Sequence, residues 1–353
     1  MAKERLKFID IARAFAIIFI AFGHTIVYSE HCKIIYKILY SFHVVLFFIL
    51  SGYTFKIKEE ERFSTFLKNK FFRIMIPYFF WAIVFIVPYL ILGQNTGNII
   101  GTASSFNWIT QVKNVFYGNG NDFALKQNSS LWFLPALFSM EIVYYFIIKY
   151  EEKNKLKDAI FIVAELLLSY ITYWFFKMYL PWGLNTVIEL GVFFDIGYLY
   201  RKNNIISEKN KLFNIKSMII VFSIGVLAGY LNTRNVSAID YKYGILTLAM
   251  ISGICLSTTV IYIAYKVKEN RILEYIGRNT MGILVFHKII ILIFQTKMGV
   301  ISSMLRNSNV IIELIISSII VILSIFFSII ITEIIRKTFP CLIGEQRKMT
   351  RKR

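Results

Sequence analysis

The chain alternates long apolar runs with short basic connections, a pattern set by the thickness of a bilayer rather than by a water-facing surface. An apolar run of about 20 residues crosses a hydrocarbon layer of roughly 30 Å as a helix. The hydrophobic pattern predicts ten such spans, at 8–28, 35–56, 74–93, 131–149, 159–178, 184–200, 216–231, 241–265, 281–298 and 310–335. The sixth and seventh are short and interrupted by Glu189, Asp195 and glycines. The expected fold class is therefore all-α, a polytopic integral-membrane helical bundle of about ten transmembrane helices. With the N-terminus inside, 29 Lys and Arg flank the inner ends of the spans and 7 the outer ends. That bias predicts both termini in the cytoplasm, an N-in/C-in topology.

Polar residues within the spans are the informative exceptions, because an ionisable group inside a spanning helix is costly and normally faces protein or a water-filled cavity. The first span, Phe8–Tyr28, carries three: Asp10, Arg13 and His24. Arg13 and His24 are eleven residues apart. That spacing leaves them on one helix face, roughly 16 Å apart along the axis, with Asp10 within about 40° of the same line. His43 enters the second span from the outer side in the stretch Ser41–Tyr53. Counted along ideal helices, His24 and His43 occupy the outer leaflet together, where two neutral imidazoles suit general-base chemistry. Each can equally serve as a hydrogen-bond link to a neighbouring helix.

Composition narrows the field. Of 353 residues, 57% are hydrophobic, and the mean hydropathy is +0.60. The net charge of +19 is spread over the connections, so no basic domain is present to bind nucleic acid. Cys32, Cys255 and Cys341 form no CxxC, and the four His and three Cys show no metal-ligand spacing, so neither a disulfide framework nor a metal is expected. A cleaved leader is not expected either. The long connection 94–130 is rich in Asn, Gly and Ser and holds Trp108, Phe116 and Tyr117. It reads either as a flexible surface loop or as a lid touching a saccharide.

Further ionisable groups complete the candidate set. Arg13, near the inner end of its helix, can snorkel, pair with Asp10, or join Lys70 and Arg73 in holding a phosphate-bearing ligand. Glu141 lies near mid-membrane and can orient His24, neutralise Arg13 or pair with another helix. His287, in Gly282–Lys288, counts to the inner half of the ninth span, a depth suited to a cofactor contact rather than to outer-leaflet catalysis.

These same residues carry a family resemblance. Arg13, ten residues and His24 resemble the Arg-X10-His signature of acyltransferase family 3, the integral-membrane O-acyltransferases of bacteria. Phe42-His43 with Phe47-Phe48 and Ser51-Gly52-Tyr53, Lys70-x-x-Arg73 before Ile76-Pro77-Tyr78, and Leu131-Trp132-Phe133-Leu134 are similar to further family motifs. Ile276-Gly277-Arg278-Asn279-Thr280 with His287 resembles the fucose 4-O-acetylase-like and exopolysaccharide acetyltransferase subgroup. Lys70 replaces a common Arg, which keeps the charge and loses the bidentate fork.

The resemblance implies one acyltransferase domain over 1–353 without the appended SGNH-type esterase domain of some members. It implies a multi-pass protein of the bacterial cytoplasmic membrane, surrounded by membrane lipids. The implied reaction moves acetyl from cytoplasmic acetyl-CoA, as co-substrate, to a hydroxyl of a cell-surface saccharide or lipid-linked glycan. In that assignment His24, His43 and Arg13 are catalytic, and Arg13, Lys70, Arg73 and His287 bind the co-substrate. Asp10 and Glu141 support them, and no metal is used. The stripe from Arg13 to His24 is comparable in length with an extended pantetheine arm. The competing class is a transporter or flippase of lipid-linked saccharide, which composition alone admits equally; a structural subunit of a polysaccharide-synthesis complex is a third.

Overall fold

Small side chains put the first helix at the centre. Helix α1 (Lys7–Ile26) buries Ala12, Ala14, Ala16, Ala21 and Gly23 together with Ile9, Ile11 and Ile17, so neighbouring backbones approach it closely. The computed structural model describes residues 6–26, 29, 31–58, 60–92, 107–119, 125–149, 155–176, 178–297 and 309–345. Among these residues the regular structure is helical, with one isolated bridge between Ser237 and Lys242 and no strand. After α1 come α2 (Lys33–Tyr40), α3 (His43–Thr54), α4 (Phe63–Lys70), α5 (Ile76–Val84), α6 (Val87–Leu92) and α7 (Trp108–Tyr117). The second half holds α8 (Phe133–Lys149), α9 (Lys155–Phe175), α10 (Leu184–Lys202), α11 (Ile215–Leu231), α12 (Leu246–Val267), α13 (Arg271–Arg278), α14 (Thr280–Lys297) and α15 (Val310–Thr338). Helix α1 packs against α3, α12, α13, α14 and α15. Burial ranks the helices from inside to outside, since 67% of the apolar window of α1 is buried against 17% of that of α9.

Among the described residues, six helical segments are long and apolar enough to cross a membrane: Lys7–Ile26, Lys33–Thr54, Ser129–Lys149, Leu156–Phe175, Leu246–Val267 and Val310–Thr338. The pair Arg271–Arg278 and Thr280–Gln295, bent by 83°, makes a seventh if it is one span. The sequence reading of about ten differs at the third, sixth and seventh, where helices exist but fall short in length or apolar character. The third, expected at 74–93, is broken by its prolines. Pro77 has no N–H to donate to the Arg73 carbonyl, and a wide π turn, Phe71–Met75, occupies the preceding residues. Pro88 follows the turn at Phe85–Ile86 that separates α5 from α6. The sixth, α10, carries Glu189, Asp195, Arg201 and Lys202, and the seventh, α11, has 17 residues. The eighth, expected from 241, starts only at Leu246, because residues 232–245 form a loop tied together by Asn232.

Two glycine contacts bring α3 and α10 together at backbone distance. A Cβ on Gly52 would lie 1.8 Å from the Phe194 carbonyl oxygen, and one on Gly197 would lie 1.9 Å from that of Ile49. A third joins α13 to α1, where a Cβ on Gly277 would lie 1.8 Å from the Asp10 carbonyl oxygen. Next to it, Arg278 Nε approaches Asp10 Oδ2 at 3.5 Å, and Arg336 Nη2 donates to Asn279 Oδ1 at 2.5 Å. The Ile276–Thr280 motif thus builds the corner between α13 and α14.

Candidate functional site

The far end of α1 opens into a cavity of about 300 Å³, reached by side chains from several separate elements. Ile20 and His24 come from α1, Tyr36 and Tyr40 from α2, and Ser41, His43 and Val44 from the corner that starts α3. That corner exists because Ser41 turns back on its own helix. Its amide and hydroxyl both donate to the Ile38 carbonyl, and its Oγ lies 2.7 Å from Ser252 Oγ. Ser129, Ser130 and Trp132 line the cavity from the 3-10 turn that leads into α8, and Lys288 and Gln295 from α14. The loop before α12 completes the lining with Val236–Asp240 and Tyr243.

The imidazoles are oriented by backbone. His43 Nδ1 lies 2.8 Å from the Leu39 carbonyl, and His287 Nδ1 lies 2.7 Å from that of Ile283. A carbonyl only accepts, so the proton in each ring sits on Nδ1 and the lone pair on Nε2. His287 is fully buried, its Nε2 has no hydrogen-bond partner, and its ring centre is 5.4 Å from that of His24. The Tyr40 ring packs edge-on against His43 at 4.5 Å. Gln295 Nε2 reaches the carbonyls of His24 and Thr25 at 3.5 and 3.4 Å, fixing the last turn of α1 against α14. Lys288 donates to Ser129 Oγ.

The opposite end of α1 gathers cations around the end of α3. Arg13 Nη2 donates to Thr54 Oγ1 at 3.1 Å, and Arg201 Nη1 reaches the carbonyls of Tyr53 and Phe55 at 3.4 and 3.3 Å. Lys70 lies over the Phe55 and Phe66 rings and bonds Glu141 Oε1 at 2.8 Å. The second carboxylate oxygen, Glu141 Oε2, is buried without a partner. Neither Arg13, Lys70 nor Arg201 is among the residues lining the cavity. On the face of α1 that joins Arg13 to His24, the intervening residues are Ile17, fully buried, and Ile20.

A family model, described as an acyltransferase domain, matches residues 6–333. The chain belongs to acyltransferase family 3. Comparison with curated proteins and with solved structures finds no match. Family membership and the apolar helices make this a multi-pass membrane acyltransferase.

Within the family 3 chain, the expected pairing of His24 with His43 corresponds to two walls of one cavity. Arg13 faces α3 through Thr54 rather than lipid. Glu141 takes the third of the roles open to it and pairs with Lys70. Asp10 is held by Arg278, at the α1–α13 contact. Arg73 parts from Lys70: its residue is exposed, and its carbonyl faces Gly344 beyond α15. Arg73 lies inside the π turn Phe71–Met75, which begins directly after Lys70 and departs from the α-helical spacing that would hold the two in register.

His287 is the clear departure from expectation, because it joins His24 rather than the cation end. A straight ninth span starting at the inner boundary places His287 in the inner half. In the structure α13 and α14 meet at a bend of 83°, Gly277 rests on the Asp10 carbonyl in the first turn of α1, and the packing of α14 along α1 brings the His287 ring to 5.4 Å from that of His24. The aromatics of the 94–130 connection are also elsewhere. Residues 93–106 and 120–124 lie outside the described residues, while α7 is fastened to the body through Tyr78 Oη to the Val115 carbonyl and Tyr117 Oη to the Tyr179 carbonyl. Trp108, Phe116 and Tyr117 are not cavity-lining; Ser129, Ser130 and Trp132, beyond them in the chain, are.

Two residues escaped the sequence reading. Lys288 stands beside His287 in a predicted span, and an intramembrane lysine is itself a signal. Arg201 counted only as a flanking charge, and nothing in its local sequence sets it apart from Lys202.

Proposed function

We propose that this acyltransferase moves an acetyl group from cytoplasmic acetyl-CoA to a hydroxyl of a cell-surface or lipid-linked saccharide, as a member of the fucose 4-O-acetylase-like or exopolysaccharide group. The reading has both termini in the cytoplasm and the protein in a bacterial plasma membrane. The observation that carries it is His24: an imidazole lining a cavity large enough for a sugar, with a second imidazole, His43, on another wall.

In this reading the acceptor hydroxyl gives its proton to a neutral His24 nitrogen as its oxygen bonds the acyl carbon and the thiolate leaves. His43, its Nδ1 fixed by Leu39, presents Nε2 as an acceptor for a second sugar hydroxyl. His287 backs the His24 ring, with 5.4 Å between ring centres, and is itself outside the cavity lining. The donor phosphates suit the other end, where Arg13 and Arg201 offer guanidinium groups beside one another on Tyr53–Phe55. Lys70 contributes less there, since Glu141 already neutralises it. Transfer between the two ends needs the layer at Ile17 to part and admit the thioester arm.

The test is acetyl transfer by the purified full chain in proteoliposomes, with labelled acetyl-CoA and a total glycan extract as acceptor. Labelled glycan with the native protein and none with His24→Ala supports the reading. Absence of label with the native protein, or equal label with the variant, overturns it.

A further inference from the structure

Part of the cavity lining is a set of donors with no anion in ion-pair contact with them. Lys288 donates one N–H to Ser129 Oγ. No carboxylate among the described residues pairs with it, although the ammonium carries two further donors. Ser130 Oγ, in the same wall, is buried and has no partner. Ser129, by accepting from Lys288, has its own hydroxyl hydrogen left to donate. Both serines stand at the head of the helical unit Ser129–Lys149, the positive end of its dipole. The acid of the lining, Asp240, lies in the loop before α12, where its Oδ2 accepts from Ser237 Oγ at 2.8 Å.

A half-buried ammonium without a counter-charge and a buried hydroxyl without a partner are both costly, and both are relieved by one oxyanion seated between them. Neutral sugar hydroxyls satisfy the hydrogen bonds but leave the charge. Resting on the acyl-transfer reading for the site as a whole, we propose that Lys288, Ser129 and Ser130 form a subsite for an anionic group of the acceptor, so that the preferred substrate is an acidic saccharide. The recognised group is an oxyanion, either the carboxylate of a uronic acid or the phosphate of a phosphorylated sugar. Lys288 here is a specificity-determining residue, separate from the proton acceptor at His24. It holds the sugar ring by its charge and so selects which hydroxyl is presented to the imidazole.

The experiment measures ligand binding by the purified full chain without acetyl-CoA, so that it does not depend on turnover. Apparent Kd values come from ligand-induced shifts of thermal unfolding with cellobiose, cellobiouronic acid, glucose and glucose 1-phosphate. The native protein binds at least one acid about tenfold or more tighter than its neutral counterpart, as a charge-assisted hydrogen bond implies. The acid that gains identifies carboxylate or phosphate as the source. Lys288→Met brings the ratio to near one, Lys288→Arg keeps most of it, and Ser130→Ala lowers it by a few-fold. Equal binding of acids and neutral sugars by the native protein overturns the subsite without any variant, as does a preference that survives Lys288→Met. Acetyl transfer to a neutral saccharide alongside no acid preference removes the subsite and leaves the acyltransferase reading intact. Acid preference with no acetyl transfer does the reverse.

Discussion

The two ends of α1 hold comparable numbers of charged and titratable side chains and treat them oppositely. At the cation end each guanidinium or ammonium described meets protein oxygen: Arg13 at Thr54, Arg201 at the carbonyls of Tyr53 and Phe55, Lys70 at Glu141. At the cavity end His287 Nε2 and Ser130 Oγ are buried and unmet, and Lys288 has a hydroxyl but no carboxylate. Buried polar groups are normally satisfied, and each exception asks for a reason. The cation end, where the unmet buried atom is a carboxylate oxygen, Glu141 Oε2, is thus a preformed frame of cations that a ligand can join by exchanging partners. The cavity end is incomplete by itself, and its chemistry is finished by whatever enters.

That contrast breaks most easily at His24. His24→Ala is expected to lower acetyl transfer about a thousandfold, the range for loss of a general base, with thermal unfolding little changed because the ring faces a cavity. Full activity in this variant removes the distinction between the ends. Arg13→Ala is expected to raise the KM for acetyl-CoA about thirtyfold while kcat at saturating donor stays within a few-fold, measured by initial rates. A matching loss in kcat instead makes Arg13 part of the transfer step. Ile17→Phe thickens the layer between the ends, and a fall in kcat of about tenfold without a rise in the KM for acetyl-CoA is expected, with the melting temperature as control. An unchanged rate shows that the donor arm does not pass this residue. The smallest effect is expected at Phe116→Ala, within twofold in rate, because this aromatic is exposed and outside the cavity. A large loss there restores the 94–130 connection as a saccharide contact.

Packing supplies a separate check on the scaffold that holds both ends apart. Gly197→Val forces a side chain into the Ile49 carbonyl and is expected to cost about 3 kcal/mol of stability. Reduced melting temperature with both ends impaired together, rather than one alone, is the expected signature.

The legible parts were those that depend on helix period. Arg13, Ile17, Ile20 and His24 recur at helical spacing, so their common face follows once the helix is granted, and the structure turns that face to protein. His43 was legible for a similar reason, since a short loop between consecutive segments keeps them neighbours. The roles of Glu141 and Lys70 were not, because 71 residues separate them and no periodicity links them. The place of His287 was not legible, because its meeting with His24 is a contact between α1 and α14 that no local period encodes. The third span also misled, although Pro77 and Pro88 gave a local warning.

By itself, then, the order of residues determined an all-helical membrane chain, its place among family 3 acyltransferases and the polar line on its first helix. Those features arise from hydrophobic length and a rotation of about 100° per residue, both of which are local. Tertiary structure alone decided that His287 meets His24, that Glu141 occupies Lys70, and that Lys288 shares a cavity wall with two serines. Each of these depends on how helices far apart in the chain pack against one another, and that packing is set by close contacts such as Gly277 on the Asp10 carbonyl.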